Sequence, residues 1–374
     1  MEQKHKKIII SAGGTGGHIF PAISVANQLK EIDPNIKILF VGAKGKMEME
    51  KVPAAGYDIV GLPVAGFQRR ITYKNLSFFF KLLKSLRLAK KVVKQFKPDA
   101  VAGFGGFASG PTLRIAAKRK IPTIIQEQNS YAGVTNKLLA KRARKICVAY
   151  PGMERFFPAE KIIMTGNPVR QDIHDVEGKR EQGLLYFELQ GNMKIALVVG
   201  GSLGALTINE SIAKNIDLII DNKIQLIWQT GKAYFETAKA LVNEKNTKLI
   251  KVVDFIARMD FAYAVSDVVI SRAGASTVSE LSIVKKPSIL VPSPNVAEDH
   301  QTKNAMALIV KDAAMMVEDK TARESLVPSL IELIKDQFRM NVYIENVSKM
   351  AIKDSASIIA NEILKLTEEK NNND

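Results

Sequence analysis

Lys7-Ile8-Ile9-Ile10-Ser11-Ala12-Gly13-Gly14-Thr15-Gly16-Gly17-His18 is the stretch on which the fold turns. An apolar run of strand type ends in a loop with four glycines in five positions, closed by a histidine. Ile19 to Lys30 then reads as a helix, with Pro21 in its first turn, where the ring costs least. Strand, glycine loop and helix together set bare backbone N–H groups and a positive helix end against an anion. Glycine is needed because any Cβ would hold the ligand off the backbone. The spacing fits neither G-x-G-x-x-G nor G-x-x-x-x-G-K-[ST], so dinucleotide and P-loop readings start weak.

The device recurs about 190 residues later: Lys194 to Val199 is apolar, Gly200-Gly201-Ser202-Leu203-Gly204-Ala205 follows, and a helical pattern starts at Leu206. A third stretch, Gly103-Phe104-Gly105-Gly106-Phe107-Ala108-Ser109-Gly110-Pro111, follows the apolar 100–102. Around these loops, strands over 7–11, 36–41, 58–62, 99–102, 122–126 and 145–149 alternate with helices over 18–31, 46–55, 75–96, 110–119 and 132–141. The second half repeats the rhythm, with strands over 194–199, 224–229, 249–252, 267–270 and 288–291. Its helices fall over 206–221, 232–243, 275–284, 301–309 and 321–334. This is an α/β pattern of two doubly wound parallel sheets, in which ligands bind beyond the carboxyl ends of the strands. The expected division is 1–166 and 167–344, a helix over 345–367 returning to the first half, and a frayed tail over 368–374.

Of the 374 residues 46% are hydrophobic, enough for a core in each half. The single cysteine, Cys147, excludes internal disulfides and fits a reducing compartment. No apolar run reaches the length of a membrane span, and the three isoleucines after the basic start are too few for a signal peptide. The net charge of +16 is uneven: residues 1–167 hold 29 Lys and Arg against 10 Asp and Glu, and residues 168–374 hold 25 against 28. Only the first half should therefore meet an anionic surface. Within it, Phe78, Phe79, Phe80, Leu82, Leu83 and Leu86 lie among Lys74, Lys81, Lys84, Arg87, Lys90 and Lys91. Bulky apolar residues mixed with lysines at helical spacing suit an anionic bilayer surface. The plainer reading is a helix whose apolar side packs on the sheet. Nucleic-acid motifs are absent from the pattern, and no nucleic-acid partner is expected.

The three loops, with Glu127-Gln128-Asn129, Gly166-Asn167-Pro168-Val169-Arg170, Arg272 to Glu280 and Asp299 to Ala305, occur in an order that resembles the MurG family of glycosyltransferases. The resemblance runs from residue 7 to about 310. It implies a GT-B fold, two Rossmann-like domains facing across a cleft. It also implies transfer of GlcNAc from UDP-N-acetylglucosamine to the C4 hydroxyl of MurNAc in lipid I (undecaprenyl-pyrophosphoryl-MurNAc-pentapeptide), with inversion. The family works at the cytoplasmic face of the inner membrane as a peripheral protein, without a cofactor, and leaves room for a cell-wall synthesis complex.

By this resemblance the donor contacts are Thr15, Gly16, Gly17, Asn129, Arg170, Ser202, Ile256, Ala275, Ser276, Thr277, Val278, Ser279, Glu280 and Gln301. Glu280 would accept from the ribose hydroxyls, Arg170 would meet phosphate charge, and Ile256 would offer its main chain to the uracil edge. Gly14, Gly105, Gly106 and Ser109 would hold the acceptor pyrophosphate. An alcohol nucleophile calls for a base near the attacking oxygen, and His18 and Glu127 are the two candidates. No carboxylate pair or His/Cys cluster marks a metal site. The chain has Gln126 where many relatives have His before Glu-Gln-Asn, and Leu203 and His300 where others have Gln.

Three other readings compete. A nicotinamide oxidoreductase needs an acidic residue after the second strand, where this chain has Gly42-Ala43. A UDP-GlcNAc 2-epimerase shares fold type and donor but has little use for the basic Phe/Leu segment. A non-enzymatic membrane-binding protein leaves the loops idle.

Overall fold

Parallel strands covered by helices on both faces explain why the strand sequences are almost continuously apolar. A computed structural model describes residues 5–64, 74–201 and 203–371. The chain divides into two compact units, Met1–Arg170 with Asp354–Asp374, and Gln171–Lys353.

The first unit carries seven strands: β1 (Lys7–Ser11), β2 (Lys37–Ala43), β3 (Asp58–Leu62), β4 (Ala100–Gly103), β5 (Thr123–Glu127), β6 (Lys145–Val148) and β7 (Ile162–Met164). All pairings are parallel, in the order β3-β2-β1-β4-β5-β6-β7. The pleat sends alternate residues of β1 to opposite faces. Ile8 and Ile10 pack with Phe40, Ala100 and the helices Gly16–Ile32 and Ser355–Asn371. Ile9 packs on the other side with Val41, Val101 and the helices Lys74–Phe96 and Ser109–Lys118. The second unit carries β8 (Ile195–Val199), β9 (Gln225–Gln229), β10 (Ile250–Val253), β11 (Val268–Ser271), β12 (Ser288–Leu290) and β13 (Met315–Met316). Its order is β10-β9-β8-β11-β12-β13, again parallel throughout.

In both sheets the strand order reverses beside the first strand, between β1 and β4 and between β8 and β11. Loops after these strands must diverge to opposite faces and leave a crevice at the carboxyl edge. The glycine loops after β1, β4 and β8, and the Arg272–Gly274 turn after β11, all sit there.

Several elements depart from the sequence reading. The pattern over 206–221 is two helices, Leu206–Lys214 and Ile216–Asp221. Asn215 breaks it, because its amide donates to the carbonyls of Ser211 (2.9 Å) and Arg323 (2.9 Å) instead of letting the ladder continue. The helix expected over 345–367 is also two, Gln337–Ser348 and Ser355–Asn371. Only the latter belongs with the first unit, where Ile359, Ala360 and Ile363 are fully buried against β1 and its neighbours. Residues 368–371, read as the start of a frayed tail, continue that helix, and Glu368 accepts from Lys6 at 3.1 Å. Helices Arg180–Phe187 and Met259–Val265 and the short strands β7 and β13 had no clear periodic signal.

Candidate active site

The first glycine loop is shaped from below by a residue that the sequence did not single out. Glu48 is buried, and its carboxylate accepts from the backbone N–H of Ala43 (2.8 Å) and Gly14 (3.2 and 3.3 Å). Gly14 was expected to hold acceptor pyrophosphate, but its N–H is spent on Glu48. Its role is the left-handed turn at φ +93°, which a Cβ disfavours. The helix Gly16–Ile32 begins behind it with Thr15 as an extended N-cap and no side-chain cap. The amides of Gly16 and Gly17 are thus open, among the described residues, at the positive end of a long helix.

His18 folds back over this loop. Its Nδ1 lies 3.0 Å from the Gly13 carbonyl oxygen and 3.2 Å from Thr15 Oγ1. A carbonyl oxygen only accepts, so Nδ1 carries a proton and donates it to Gly13. The Nε2 edge abuts Gly105, where a Cβ would sit 2.9 Å from it. Gly106 is closer still to the first loop: a Cβ there would come within 2.1 Å of the Gly13 oxygen. Both glycines have positive φ, +88° and +80°. The loop after β4 therefore lies directly on the loop after β1, and its Gly105 and Gly106 amides are open among the described residues. Ser109 departs from its expected role. It is fully buried and its hydroxyl faces the carbonyls of Ser11 (2.9 Å) and Gly105 (2.7 Å), so it braces the loop and does not present a donor.

Glu127 is the other proposed base, and its surroundings suit a different task. Oε1 accepts from the Asn129 N–H (3.1 Å) and amide (3.2 Å), and Oε2 from the Gly133 N–H (3.0 Å) and Asn136 (2.8 Å). Four donors on a buried carboxylate make it an anchor for the loop carrying Asn129. Gln126 donates to Asn167 Oδ1 at 2.8 Å, and Asn167 donates to the Gln128 carbonyl at 2.9 Å. This pair ties the Gly166–Arg170 segment to the end of β5, and Arg170 closes the first unit's long segment.

In the second unit, the loop after β8 packs as tightly. Gly201 and Gly204 have φ of +88° and +78°, and a Cβ on Gly204 would come within 2.0 Å of the Thr230 oxygen. The Gly204 N–H closes the turn onto Gly201 (2.9 Å), which leaves the Leu203 and Ala205 amides at the start of the helix Leu206–Lys214. Ser202 lies outside the described residues. Leu203 is 86% exposed, so its side chain bears no structural load.

Beside this loop, Arg272 was missed as a functional candidate. It donates to the carbonyls of Val291 (3.0 Å) and Pro292 (3.3 Å) and pairs with Asp319, whose other oxygen accepts from Thr207 (3.1 Å). Asp319 thereby joins the turn after β11 to the first turn of the helix after the glycine loop. The helix Ala275–Ile283 follows Gly274, its first amides unpaired within the helix. The Val278 N–H already donates to Gly274 at 3.0 Å, and Ser279 Oγ donates to Ala275 at 3.1 Å, so these two lie past the open turn. Ser276 Oγ is buried with no partner among the described residues. Glu280 accepts from the buried Tyr263 hydroxyl at 2.9 Å through one oxygen. Ile256 is buried, and next to it Phe255 is 57% exposed, an aromatic face that sequence alone did not flag. Gln301 accepts from the Ser293 N–H at 2.8 Å, which orients its amide. Ahead of it, Glu298 and Asp299 both hold left-handed φ, +54° and +53°, a costly backbone for two non-glycine residues in a row.

Residues 8–148 match the glycosyltransferase family 28 N-terminal domain and residues 195–363 its C-terminal domain. The chain belongs to this family. The family-28 chain is 56% identical over 364 residues to the UDP-N-acetylglucosamine–N-acetylmuramyl-(pentapeptide) pyrophosphoryl-undecaprenol N-acetylglucosamine transferase of Parabacteroides distasonis, covering 97% of this chain and 99% of that one. The enzyme of the same name from Flavobacterium psychrophilum is 53% identical, covering 97% and 98%. Among solved structures, that of Acinetobacter baumannii MurG aligns at a TM-score of 0.76 with 29% identity, over 96% and 99% of the two chains. A UDP-GlcNAc 2-epimerase from Neisseria meningitidis aligns at 0.66 with 15% identity, a likeness of fold alone.

The helix Lys74–Phe96 carries the residues expected to meet a bilayer. Phe80 is 65% exposed, Leu83 is 37% exposed, and Lys81 and Lys84 are exposed. Leu82 turns inward and is half-buried. The side chains of Phe78 and Phe79 lie outside the described ones. Among the described residues no helix is long and apolar enough to cross a membrane.

Proposed function

We propose that the first unit binds a lipid-linked acceptor diphosphate and the second binds UDP-GlcNAc, and that the two together transfer GlcNAc with inversion. The protein is a UDP-GlcNAc-dependent N-acetylglucosaminyltransferase that converts lipid I to lipid II in peptidoglycan synthesis. The observation that carries the division of labour is the pair of strand-order reversals, each flanked by glycine loops with open amides.

In the donor half, the amides of Leu203 and Ala205 and the helix behind them suit the UDP pyrophosphate. Ser202 lends its hydroxyl, and the amides of Ala275 to Thr277 with Ser276 Oγ lie along the nucleotide, ahead of Val278 and Ser279. Glu280, held by Tyr263, accepts from the ribose hydroxyls. The Ile256 main chain meets the uracil edge while Phe255 covers the ring. The Gln301 amide, with its oxygen already engaged, donates to a sugar hydroxyl.

In the acceptor half, the amides of Gly16, Gly17, Gly105 and Gly106 suit the lipid diphosphate, and Thr15 and Asn129 face the sugars. The MurNAc C4 hydroxyl attacks C1 of GlcNAc and passes its proton to His18 Nε2 as the bond to UDP breaks. The helix dipole after β8 meets the charge that develops on UDP. The excess of cations on the first half and the exposed Phe80 and Leu83 favour attachment to the anionic cytoplasmic leaflet.

Incubation with UDP-GlcNAc and a lipid I analogue tests this reading. UDP release should require the acceptor. UDP release at equal rate without acceptor, or conversion of UDP-GlcNAc to its 2-epimer, would refute it.

A further inference from the structure

The helices Lys74–Phe96, Ser109–Lys118 and Val134–Ala140 enclose a cavity of about 460 Å³ on the first unit, within the range that takes a small organic ligand. Its walls are apolar, with Val64, Leu82, Leu86, Leu113, Ala117 and Leu139 among them. Two further lining residues, Phe107 and Leu138, are 52% and 76% exposed. Such large apolar side chains around an apolar pocket mark a surface that gains from being covered. Arg114 and Arg142 also line it, both exposed and in no ion pair among the described residues.

What covers it follows from where it begins. Phe107, Gly110 and Pro111 line the cavity, and they directly follow Gly105 and Gly106, whose open amides face an anion in the reading above. One stretch of chain therefore forms the diphosphate loop and the pocket wall. A hydrocarbon attached to that diphosphate enters the pocket within its first few carbons. The two guanidinium groups suit a ligand that is anionic at one end and hydrocarbon at the other. We infer that this pocket seats the head-proximal isoprene units of the acceptor's polyprenyl chain, so that the enzyme reads the lipid itself as well as the diphosphate and sugar. The inference rests on the acceptor reading above. It differs from bilayer attachment, in which the exposed Phe80, Leu83 and lysines meet many lipids and select none.

Two variants test it: Ala117→Phe, which fills the cavity, and Leu138→Glu, at a position exposed enough to leave the fold intact. Each is assayed with a full-length polyprenyl acceptor and with a short, water-soluble analogue whose diphosphate carries a methyl group in place of the hydrocarbon. Binding of polyprenyl diphosphate, which needs no turnover, and flotation with anionic vesicles complete the set. Both variants should raise KM for the long-chain acceptor about tenfold and weaken polyprenyl diphosphate binding equally. KM for the short analogue and vesicle flotation should not change. Equal effects on both acceptors, no effect on either, or a parallel loss of flotation would overturn the inference, the last by assigning the pocket to a bilayer acyl chain. Absence of acceptor-dependent UDP release from the unmodified enzyme would instead refute the transfer reaction, and the polyprenyl diphosphate titration would still decide the pocket.

Discussion

As the proposed base, His18 is positioned by the loop itself: the Gly13 oxygen accepts from Nδ1, and Gly105 leaves room for the ring, whose Nε2 edge abuts that glycine. His18→Gln should therefore lower kcat by roughly 10²–10³-fold, the scale of a lost general base, with the KM for UDP-GlcNAc nearly unchanged. A fall in donor affinity without a fall in kcat would assign His18 to binding. Glu127→Gln keeps the four acceptor contacts only in part and should loosen the Asn129 loop, raising KM more than it lowers kcat. A separate residue sets an alkaline signature. Burial lowers Lys286 from 10.5 to about 8, with Arg180 acting in the same sense and Asp267 against it. Below about 8 both folded and unfolded chains hold this proton; between 8 and 10.5 only the unfolded chain keeps it. Stability should thus rise with pH across that window by roughly 1–3 kcal/mol, and Lys286→Met should abolish the rise in urea melts.

Elements hold the loops to tolerances smaller than a methyl group. A Cβ at Gly106 would strike the Gly13 carbonyl, so Gly106→Ala must push apart the loops after β1 and β4. Misplacement on the order of 1 Å costs roughly 10²-fold in rate, so kcat/KM should fall by about that factor, and the left-handed φ of +80° should lower the thermal midpoint as well. The C-terminal helix is structural in a stronger sense. Truncation at Lys353 exposes the core around Ile359, Ile363, Leu364 and Leu366, at about 2–3 kcal/mol for each side chain. The total rivals a domain's whole stability, so the truncated chain should fail to give a cooperative melt.

At this scale the sequence was most legible where one local rule decided the outcome. Apolar runs located β1, β4, β8 and β11, and glycine clusters located the loops behind them, because a parallel sheet and a tight strand-to-helix turn each impose a local pattern. What escaped was set by contacts remote in sequence. Glu48 reaches Gly14 across 34 positions, Asp319 reaches Arg272 across 47, and Asn215 ends a helix by bonding to Arg323. Ser109, which the resemblance implied would hold the acceptor pyrophosphate, is buried against the carbonyls of Ser11 and Gly105.

Across the whole molecule, charge and chemistry are partitioned. The net positive charge and the exposed Phe80 and Leu83 belong to the first unit, which also carries the apolar pocket, whereas Glu280, Phe255 and Gln301 belong to the near-neutral second unit. Vesicle binding should therefore require anionic lipid and weaken as salt rises, while UDP-GlcNAc affinity should change little over the same range. Hydrogen exchange on the intact enzyme tests the central claim most directly, with each ligand added alone. UDP-GlcNAc should protect amides around 203–207 and 275–277, and polyprenyl diphosphate those around 13–18 and 104–110. Protection of the first set of loops by polyprenyl diphosphate and of the second by UDP-GlcNAc exchanged for one another, or both ligands protecting a single unit, would contradict the account.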